Sequence, residues 1–406
     1  MRKRRLLVVG SGGQPFREYA LAAMSRRVEI VLAIDSEISW QQPYVGEYHR
    51  VDPHDPVALE ELVRRVAPDG LLTYDELLVE PVAQVAAVAG VPYTDVEAVR
   101  RCKDKSALRA LLAEAGVSPV RFAVAFTEQE AVRAAEEIGY PVVLKPRALG
   151  GSIGVVQAAD EKQLLASFAV AADANSDGTV SAHAGVLIEE YLDGPEYSVD
   201  CVTWEGTTVP LIVAEKELGF PPYFEEIGHI VPAAPHPDLA AAVEMVVRAH
   251  AVVGLDRLAS HSEFKLTSRG PRIVEINVRL GGDLIPYLGQ LSSGIDVPGA
   301  AADVAVGQQP DLSQDRSLVA SIGMIYPEYD IRLESVALRG DAADHVGLER
   351  FTTFLPAGTD VRLPPQGFLS RVGFAIVTDE TREGCRRRLE AVRAAVVIEG
   401  APLAAR

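Results

Sequence analysis

Between residues 6 and 94 short apolar runs alternate with stretches of helical periodicity, and this rhythm restricts the fold more than any other feature of the chain. Leu6–Val9, Glu29–Ile34 and Gly70–Thr73 read as strands, with residues 55–67 and 79–89 the clearer helices between them. Strands separated by helices in this way build a parallel sheet with helices on its faces. The basic opening Met1-Arg-Lys-Arg-Arg5, followed by Leu6-Leu-Val-Val9, superficially resembles a signal peptide. Gly10-Ser-Gly-Gly13 ends the apolar run after four residues, too short for a signal's apolar core, so a first β-strand and a turn are expected. That turn lacks the full G-x-G-x-x-G spacing of a dinucleotide site, and a tight turn needing no side chain is the plain reading.

The pattern changes near residue 95. Helical stretches at 104–115 and 128–138 flank a strand around Val120–Phe126, and the strand Pro141–Lys145 runs into a glycine-rich turn. The polar connection within 171–184, containing Ala172-Asp-Ala-Asn-Ser-Asp-Gly-Thr179, reads as a mobile loop. Strand patterns at 186–192, 196–204 and 208–214 precede a helix near 238–253 and a hairpin over about 260–278. From roughly 311, short strands and a final helix (380–394) read as a separate small α+β unit. At 406 residues the chain is long enough for several packed units. The expected division is 1–94, 95–183, 184–310 and 311–406, a mixed α/β and α+β architecture with an N-terminal parallel-sheet domain.

Charge and cysteine content exclude several classes of function. The net charge of −18 argues against a general nucleic-acid binder, which would need a basic face to neutralise phosphates. It does not exclude ATP, because a few buried lysines and Mg2+ overrule the global field locally. The cysteines Cys102, Cys201 and Cys385 are far apart and odd in number, which argues against a disulfide framework or a zinc site and for a reducing cytoplasm. No apolar stretch reaches the roughly 18 residues of a membrane span.

Three segments carry candidate chemistry. In His261-Ser-Glu-Phe-Lys-Leu-Thr-Ser-Arg-Gly-Pro-Arg-Ile-Val-Glu-Ile-Asn277, folding about Arg269 sets Glu263 opposite Glu275, and alternation puts Asn277 on the same face. Opposed carboxylates are destabilising unless a cation lies between them, and an oxygen-only set selects Mg2+ over zinc. A solvated hairpin face with incidental acids reads the same way when taken alone. Lys145 closes an apolar strand and precedes Leu149-Gly-Gly-Ser-Ile-Gly-Val155, whose glycines let backbone N–H groups approach phosphate. The lysine precedes the glycines, so this is not a P-loop, and a turn beside a snorkelling lysine is the alternative. Third, the strand Val186–Glu190 leads through Tyr191 and Leu192 into the turn Asp193-Gly194-Pro195 and then Glu196. Its backbone can read an adenine edge and Glu196 a ribose diol, although an ordinary strand–turn–strand has the same pattern.

The order of these parts resembles the ATP-grasp superfamily over roughly residues 1–310, and the resemblance supplies roles. Lys105, within Cys102-Lys-Asp-Lys-Ser106, resembles that family's first phosphate lysine and Lys145 its second. Residues 149–155, including Gly150, Gly151, Ser152 and Ile153, resemble its triphosphate flap. Glu190 and Leu192 would meet adenine through backbone, with Glu189 and Tyr191 adjoining and Glu196 on ribose. Glu263, Glu275 and Asn277 match its metal positions, and Arg279 resembles the arginine that steadies the transferred phosphoryl group. Val278 stands where relatives often carry proline. Within the superfamily Ala214-Glu-Lys216, Phe224–Pro232, His261–Phe264 and Glu275–Ile285 look most like the L-amino-acid ligases that form dipeptides.

The resemblance implies carboxylate activation as an acyl phosphate on ATP with two Mg2+ ions (Mn2+ as the alternative metal), followed by attack of an amine. It implies amino-acid substrates and a homodimer; the alternatives are another ATP-grasp ligase, of γ-glutamyl, purine-synthesis or carboxylase type, or a nucleotide-binding regulatory module that has lost catalysis. Glu76, Glu215 and Glu226 are candidates for a substrate ammonium, Arg279 for a substrate contact, and His229 for polarising the substrate or accepting the amine's proton. His261 is expected to support Glu263.

Overall fold

The structure is a computed structural model and describes residues 3–147, 150–174, 185–341 and 344–404. Most of the polar connection, residues 175–184, and Leu149 of the glycine-rich turn lie outside the described residues, whereas 171–173 complete a helix. The chain divides into two compact units. One contains Met1–Pro119, Tyr197–Val213 and Ala234–Arg316; the other contains Val120–Glu196, Ala214–Ala233 and Ser317–Arg406.

The first unit begins with β1 (Arg5–Val9), α1 (Gln14–Arg27), β2 (Glu29–Ile34), β3 (Glu47–Arg50), α2 (Pro56–Val66), β4 (Gly70–Leu72) and α3 (Val79–Ala89). The four strands form a parallel sheet in the order β3-β2-β1-β4, as the alternating pattern predicts. Leu7, Val9, Val31 and Leu71 from the strands pack on Leu59, Leu62, Val82 and Val85 from α2 and α3. Asp55 caps α2 by accepting from the amides of Val57 and Ala58. Two short helices follow, α4 (Val96–Lys103) and α5 (Lys105–Glu114). Asp104 breaks them: it ends α4 and caps α5, accepting from the amides of Ser106 and Ala107, so that Lys105 is the first residue of α5.

The second unit takes over with β5 (Phe122–Ala125), α6 (Glu128–Ile138), β6 (Val142–Pro146), β7 (Val156–Ala158), α7 (Glu161–Asp173) and β8 (Val186–Glu190). Its antiparallel sheet runs β5-β8-β6-β7, with α6 and α7 packed on it through Ala131, Ala135, Leu164 and Phe168. Next come β9 (Glu196–Trp204), β10 (Thr207–Gly219), β11 (Glu225–Val231), α8 (Leu239–Val253), β12 (Leu258–Thr267) and β13 (Gly270–Asn277). Strand β10 begins in the first unit and ends in the second. In the first unit the strand order is β13-β12-β9-β10. α9 (Ile285–Ser293) and α10 (Val297–Ala305) complete that unit. Gly70 must lack a side chain because a Cβ there would collide with the carbonyl of Ala305 in α10.

The remaining elements are β14 (Val319–Ile325), β15 (Ile331–Leu338), β16 (Leu348–Thr353), β17 (Asp360–Val361), β18 (Gly373–Asp379), α11 (Arg382–Ala395) and β19 (Val396–Pro402). Within the second unit they extend a sheet in the order β10-β11-β14-β18-β16, on which α11 lies, and form a small sheet β17-β15-β19. Ala375, Val377, Cys385, Leu389 and Val392 are buried between α11 and that sheet. Among the described residues, no helix is long and apolar enough to cross a membrane.

Candidate active site

In the first unit the hairpin β12–β13 carries the carboxylates. Glu263 pairs directly with Glu275, and His261 with Asn277. The turn itself is tighter than a fold about Arg269: Thr267 pairs with Gly270, leaving Ser268 and Arg269 as the loop. A regular ladder from that turn would set Glu263 opposite Val274 and turn Glu275 to the other face. A β-bulge supplies the missing step, because the register shifts after Phe264–Ile273 and Val274 is the extra residue. The bulge's backbone is satisfied from outside the ladder. Arg109 of α5, only 1% exposed, donates to the carbonyls of Ile273 (2.9 Å) and Val274 (2.7 Å), and the Ser118 hydroxyl accepts from the Ile273 amide at 2.9 Å.

The carboxylates have polar company. Asn277 Nδ2 donates to Glu275 Oε1 at 2.8 Å, and Lys105 Nζ lies 3.4 Å from Glu275 Oε2. His261 Nε2 is 3.4 Å from Glu263 Oε1, while its Nδ1 meets Asp200 Oδ1 at 2.6 Å. Burial alone would hold this ring neutral, but the hydrogen bonds and charges of Asp200 and Glu263 prevail and raise its pKa to about 9. A side chain at Gly281 would press on this His–Asp pair, with Cβ 2.9 Å from His261 Nδ1 and 3.0 Å from Asp200 Oδ1. Arg279, just past β13, donates through Nε to Glu76 Oε2 at 2.8 Å. Glu76 sits in the segment following β4, where Thr73 and Asp75 accept from the amides of Asp75 and Leu77 and fix the turn. Ends of parallel strands are where open α/β sheets present their functional groups. The donor set fits Mg2+: Glu263, Glu275 and Asn277 offer only oxygen and share a hairpin face, and a buried histidine braces one carboxylate.

The second unit holds a separate set. Lys145 of β6 is 8% exposed, and its Nζ lies 2.7 Å from Glu189 Oε2 on β8. Glu190 is turned to Arg121, accepting from its amide and its Nε, both at 3.1 Å. The Tyr191 amide donates to the Pro141 carbonyl. Residues 150–155 form the glycine-rich turn, with positive φ at Gly151, Ser152 and Gly154. At Gly154 a Cβ would stand 2.7 Å from Ala174 Cβ, so backbone conformation and space both demand glycine.

A charge cluster joins the ends of β9, β10 and β11. The Lys216 ammonium lies 2.8 Å from Glu196 Oε1 and 3.1 Å from Glu226 Oε1, and His229 Nε2 lies 3.2 Å from Glu226 Oε2. Burial opposes ionisation of Glu226, but Lys216, the hydrogen bond to His229 and the charge of Arg371 hold its carboxyl well below the ordinary carboxylate range. Glu215 lies apart from this cluster. Alternation turns it to the other side of β10, where Arg382 and Arg386 of α11 grip it.

Residues 138–287 match the ATP-grasp domain. Phosphoribosylamine–glycine ligase of Mycobacterium tuberculosis is 30% identical over 300 residues, which cover 68% of this chain and 68% of that protein. The chain belongs to the ATP-grasp family. Alanine–anticapsin ligase of Bacillus subtilis is 28% identical over 287 residues, or 64% of this chain, and the match spans 60% of that ligase's length. The fold of L-amino acid ligase from Bacillus licheniformis is similar over 99% of this chain and 100% of that one, with a TM-score of 0.81 at 20% identity.

Within this ATP-grasp chain the structure brings together Lys105, Glu263, Glu275, Asn277, Arg279 and Glu76 in one unit. In the other it joins Lys145 to Glu189, and Glu196, Glu226 and His229 through Lys216. Sequence reasoning assigned no role to Lys216, Asp200 or Arg109. Lys216 had a readable signal, since it follows Ala214 at the two-residue spacing of a buried strand face. Asp200 is a carboxylate inside the buried strand β9, between Val199 and Cys201. Nothing local marks Arg109, whose acceptors on Ile273 and Val274 are more than 160 residues away in sequence.

Proposed function

We infer that this protein is an ATP-dependent carboxylate–amine ligase that joins two amino acids, or an amino acid and an amine, and releases ADP and phosphate. The observation that carries the reading is the oxygen-only set Glu263, Glu275 and Asn277, with Arg279 two residues further on. These groups suit two Mg2+ ions, or Mn2+, which when bound would offset the charge of phosphoryl transfer. On this reading Lys105 and Lys145 neutralise phosphate oxygens, and the backbone of Gly150, Gly151, Ser152 and Ile153 covers them. Glu190 and Leu192 meet adenine through backbone, flanked by Glu189 and Tyr191, and Glu196 serves the ribose.

A carboxylate is a poor electrophile. Its oxygen attacks the γ-phosphorus, the bond to ADP breaks, and an acyl phosphate forms with Arg279 steadying the transferred group. A neutral amine then attacks the acyl carbon, the carbon–oxygen bond to phosphate breaks, and the amine's proton leaves to a base, for which His229 is the candidate. Glu76 and Glu226 are candidates for the substrate ammonium. Closure of the glycine-rich turn keeps water from the acyl phosphate. The similarity to alanine–anticapsin ligase supports amino acids as substrates. A second reading, glycine joined to phosphoribosylamine, is favoured by the 30% identity to the enzyme of that name.

The deciding experiment measures phosphate release with Mg-ATP against pairs of amino acids, with glycine plus phosphoribosylamine as a separate arm and products identified by mass. Pair-dependent release with one amide formed per phosphate is expected, and the fragment masses report whether an α- or side-chain carboxylate was activated. If no amino-acid pair stimulates release, the dipeptide reading is wrong.

A further inference from the structure

We propose that Arg109 is a positioning residue that sets the register of the metal-binding hairpin and thereby places Glu275 opposite Glu263. The inference rests on the reading that these carboxylates hold Mg2+. From the tight turn at Ser268–Arg269, the pairs Thr267–Gly270, Leu266–Pro271, Lys265–Arg272 and Phe264–Ile273 follow one regular ladder. Continued without interruption, that ladder would pair Glu263 with Val274 and Ser262 with Glu275, leaving the two carboxylates on opposite faces of the hairpin. The extra residue at Val274 prevents this, at the cost of backbone groups that the neighbouring strand no longer pairs.

Those groups are taken up by one helix and the segment after it. Arg109 closes on the carbonyls of Ile273 and Val274 at 2.9 and 2.7 Å, a two-pronged grip that the planar guanidinium makes and a lysine ammonium does not reproduce. Ser118 takes the Ile273 amide at 2.9 Å. One turn earlier on the same helix face, Lys105 lies 3.4 Å from Glu275 itself. Helix α5 therefore fixes both the bulge and the carboxylate the bulge presents, and Asp104 fixes where the helix starts. A buried arginine that grips the backbone of this strand has no need to touch metal or nucleotide to control the site.

The test uses the full chain and Mn2+ as the probe, with free ion followed by electron paramagnetic resonance, without nucleotide and again with ADP. Arg109→Met is expected to weaken Mn2+ binding at least tenfold while far-ultraviolet circular dichroism stays unchanged. Deleting Val274 in the Arg109→Met background removes the need for a bulge, since the uninterrupted ladder then pairs Glu263 with Glu275. This double change is expected to restore Mn2+ affinity to within about threefold of the parent, which no general loss of packing would allow. Should Arg109→Met not fold, Ser118→Ala decides, with an expected three- to tenfold weakening. Glu275→Gln separates the two readings. If it binds Mn2+ as the parent does, the metal reading fails and the inference with it. If Glu275→Gln abolishes binding while Arg109→Met, or in its place Ser118→Ala, binds like the parent, the positioning role is wrong. A folded double variant that stays as weak as Arg109→Met overturns it equally.

Discussion

Lys216 shows how much a single side chain carries in the second unit. Its side chain is 1% exposed and bridges the buried Glu196 and the half-buried Glu226, so the two carboxylates share one cation. Removing one member of such a set costs about 3–5 kcal/mol, because the charges left behind have lost the partner they share. Lys216→Met is expected to lose about that much in urea unfolding, and a loss under about 1 kcal/mol would show that the cluster is not organised by this lysine. His250 in α8 poses the reverse case. Burial keeps its ring neutral and lowers its pKa to about 4, with Nε2 against the Ser262 hydroxyl at 2.9 Å. The unfolded chain takes up a proton near pH 6.5 and the folded chain only near pH 4, so stability falls as pH drops through that window. The shift corresponds to about 3 kcal/mol by pH 4. His250→Gln should flatten this part of the pH–stability curve. If parent and variant lose stability in parallel between pH 7 and pH 4.5, the burial argument is mistaken.

At the scale of elements, the glycine-rich turn and the metal hairpin differ in how openly the sequence declares them. The turn's glycines announce themselves, and the structure gives the reason: positive φ at Gly151 and Gly154, with Ala174 too close to Gly154 for any side chain. Gly154→Val should therefore prevent the turn from settling. The expected result is a raised KM for ATP together with phosphate released in excess of amide, as water reaches the activated carboxylate. A variant whose phosphate and amide remain equal would refute a water-excluding role. In the hairpin, alternation correctly put Glu263, Glu275 and Asn277 on one face, but for an incomplete reason. Folding about Arg269 gave the right pair because it absorbed, unseen, the extra residue that the bulge places at Val274. Ile273-Val274-Glu275 reads as ordinary strand, and the partners that hold the bulge, Arg109 and Ser118, lie far back in the chain. Helices α2, α3 and α6 were readable because Asp55, Gly90 and Thr127 mark their ends with local capping chemistry.

Across the whole molecule, the grouping of segments was the least legible property. Strand β10 passes from one compact unit into the other without a break in its apolar pattern, and the strands beyond residue 311 continue a sheet begun at β10 and β11. No local signal reports which distant strand a given strand will adjoin. Ligand linkage, however, registers on the native molecule regardless of how its segments are grouped. Any ligand bound by the native state alone stabilises it by mass action, about 2.7 kcal/mol at a free concentration one hundred times its Kd. MgADP should raise the chain's unfolding free energy by that amount, and part of the effect should require the metal. Glu275→Ala removes one of the two opposed carboxylates, so it should retain stabilisation by ADP in EDTA while losing most of the increment that Mg2+ adds. Chemical denaturation of parent and variant, each with ADP in EDTA and with ADP in Mg2+, measures the four terms directly. An increment of equal size in both proteins would mean that Mg2+ acts through the nucleotide's own coordination and not through the hairpin, and the role assigned to Glu263, Glu275 and Asn277 would have to be given up.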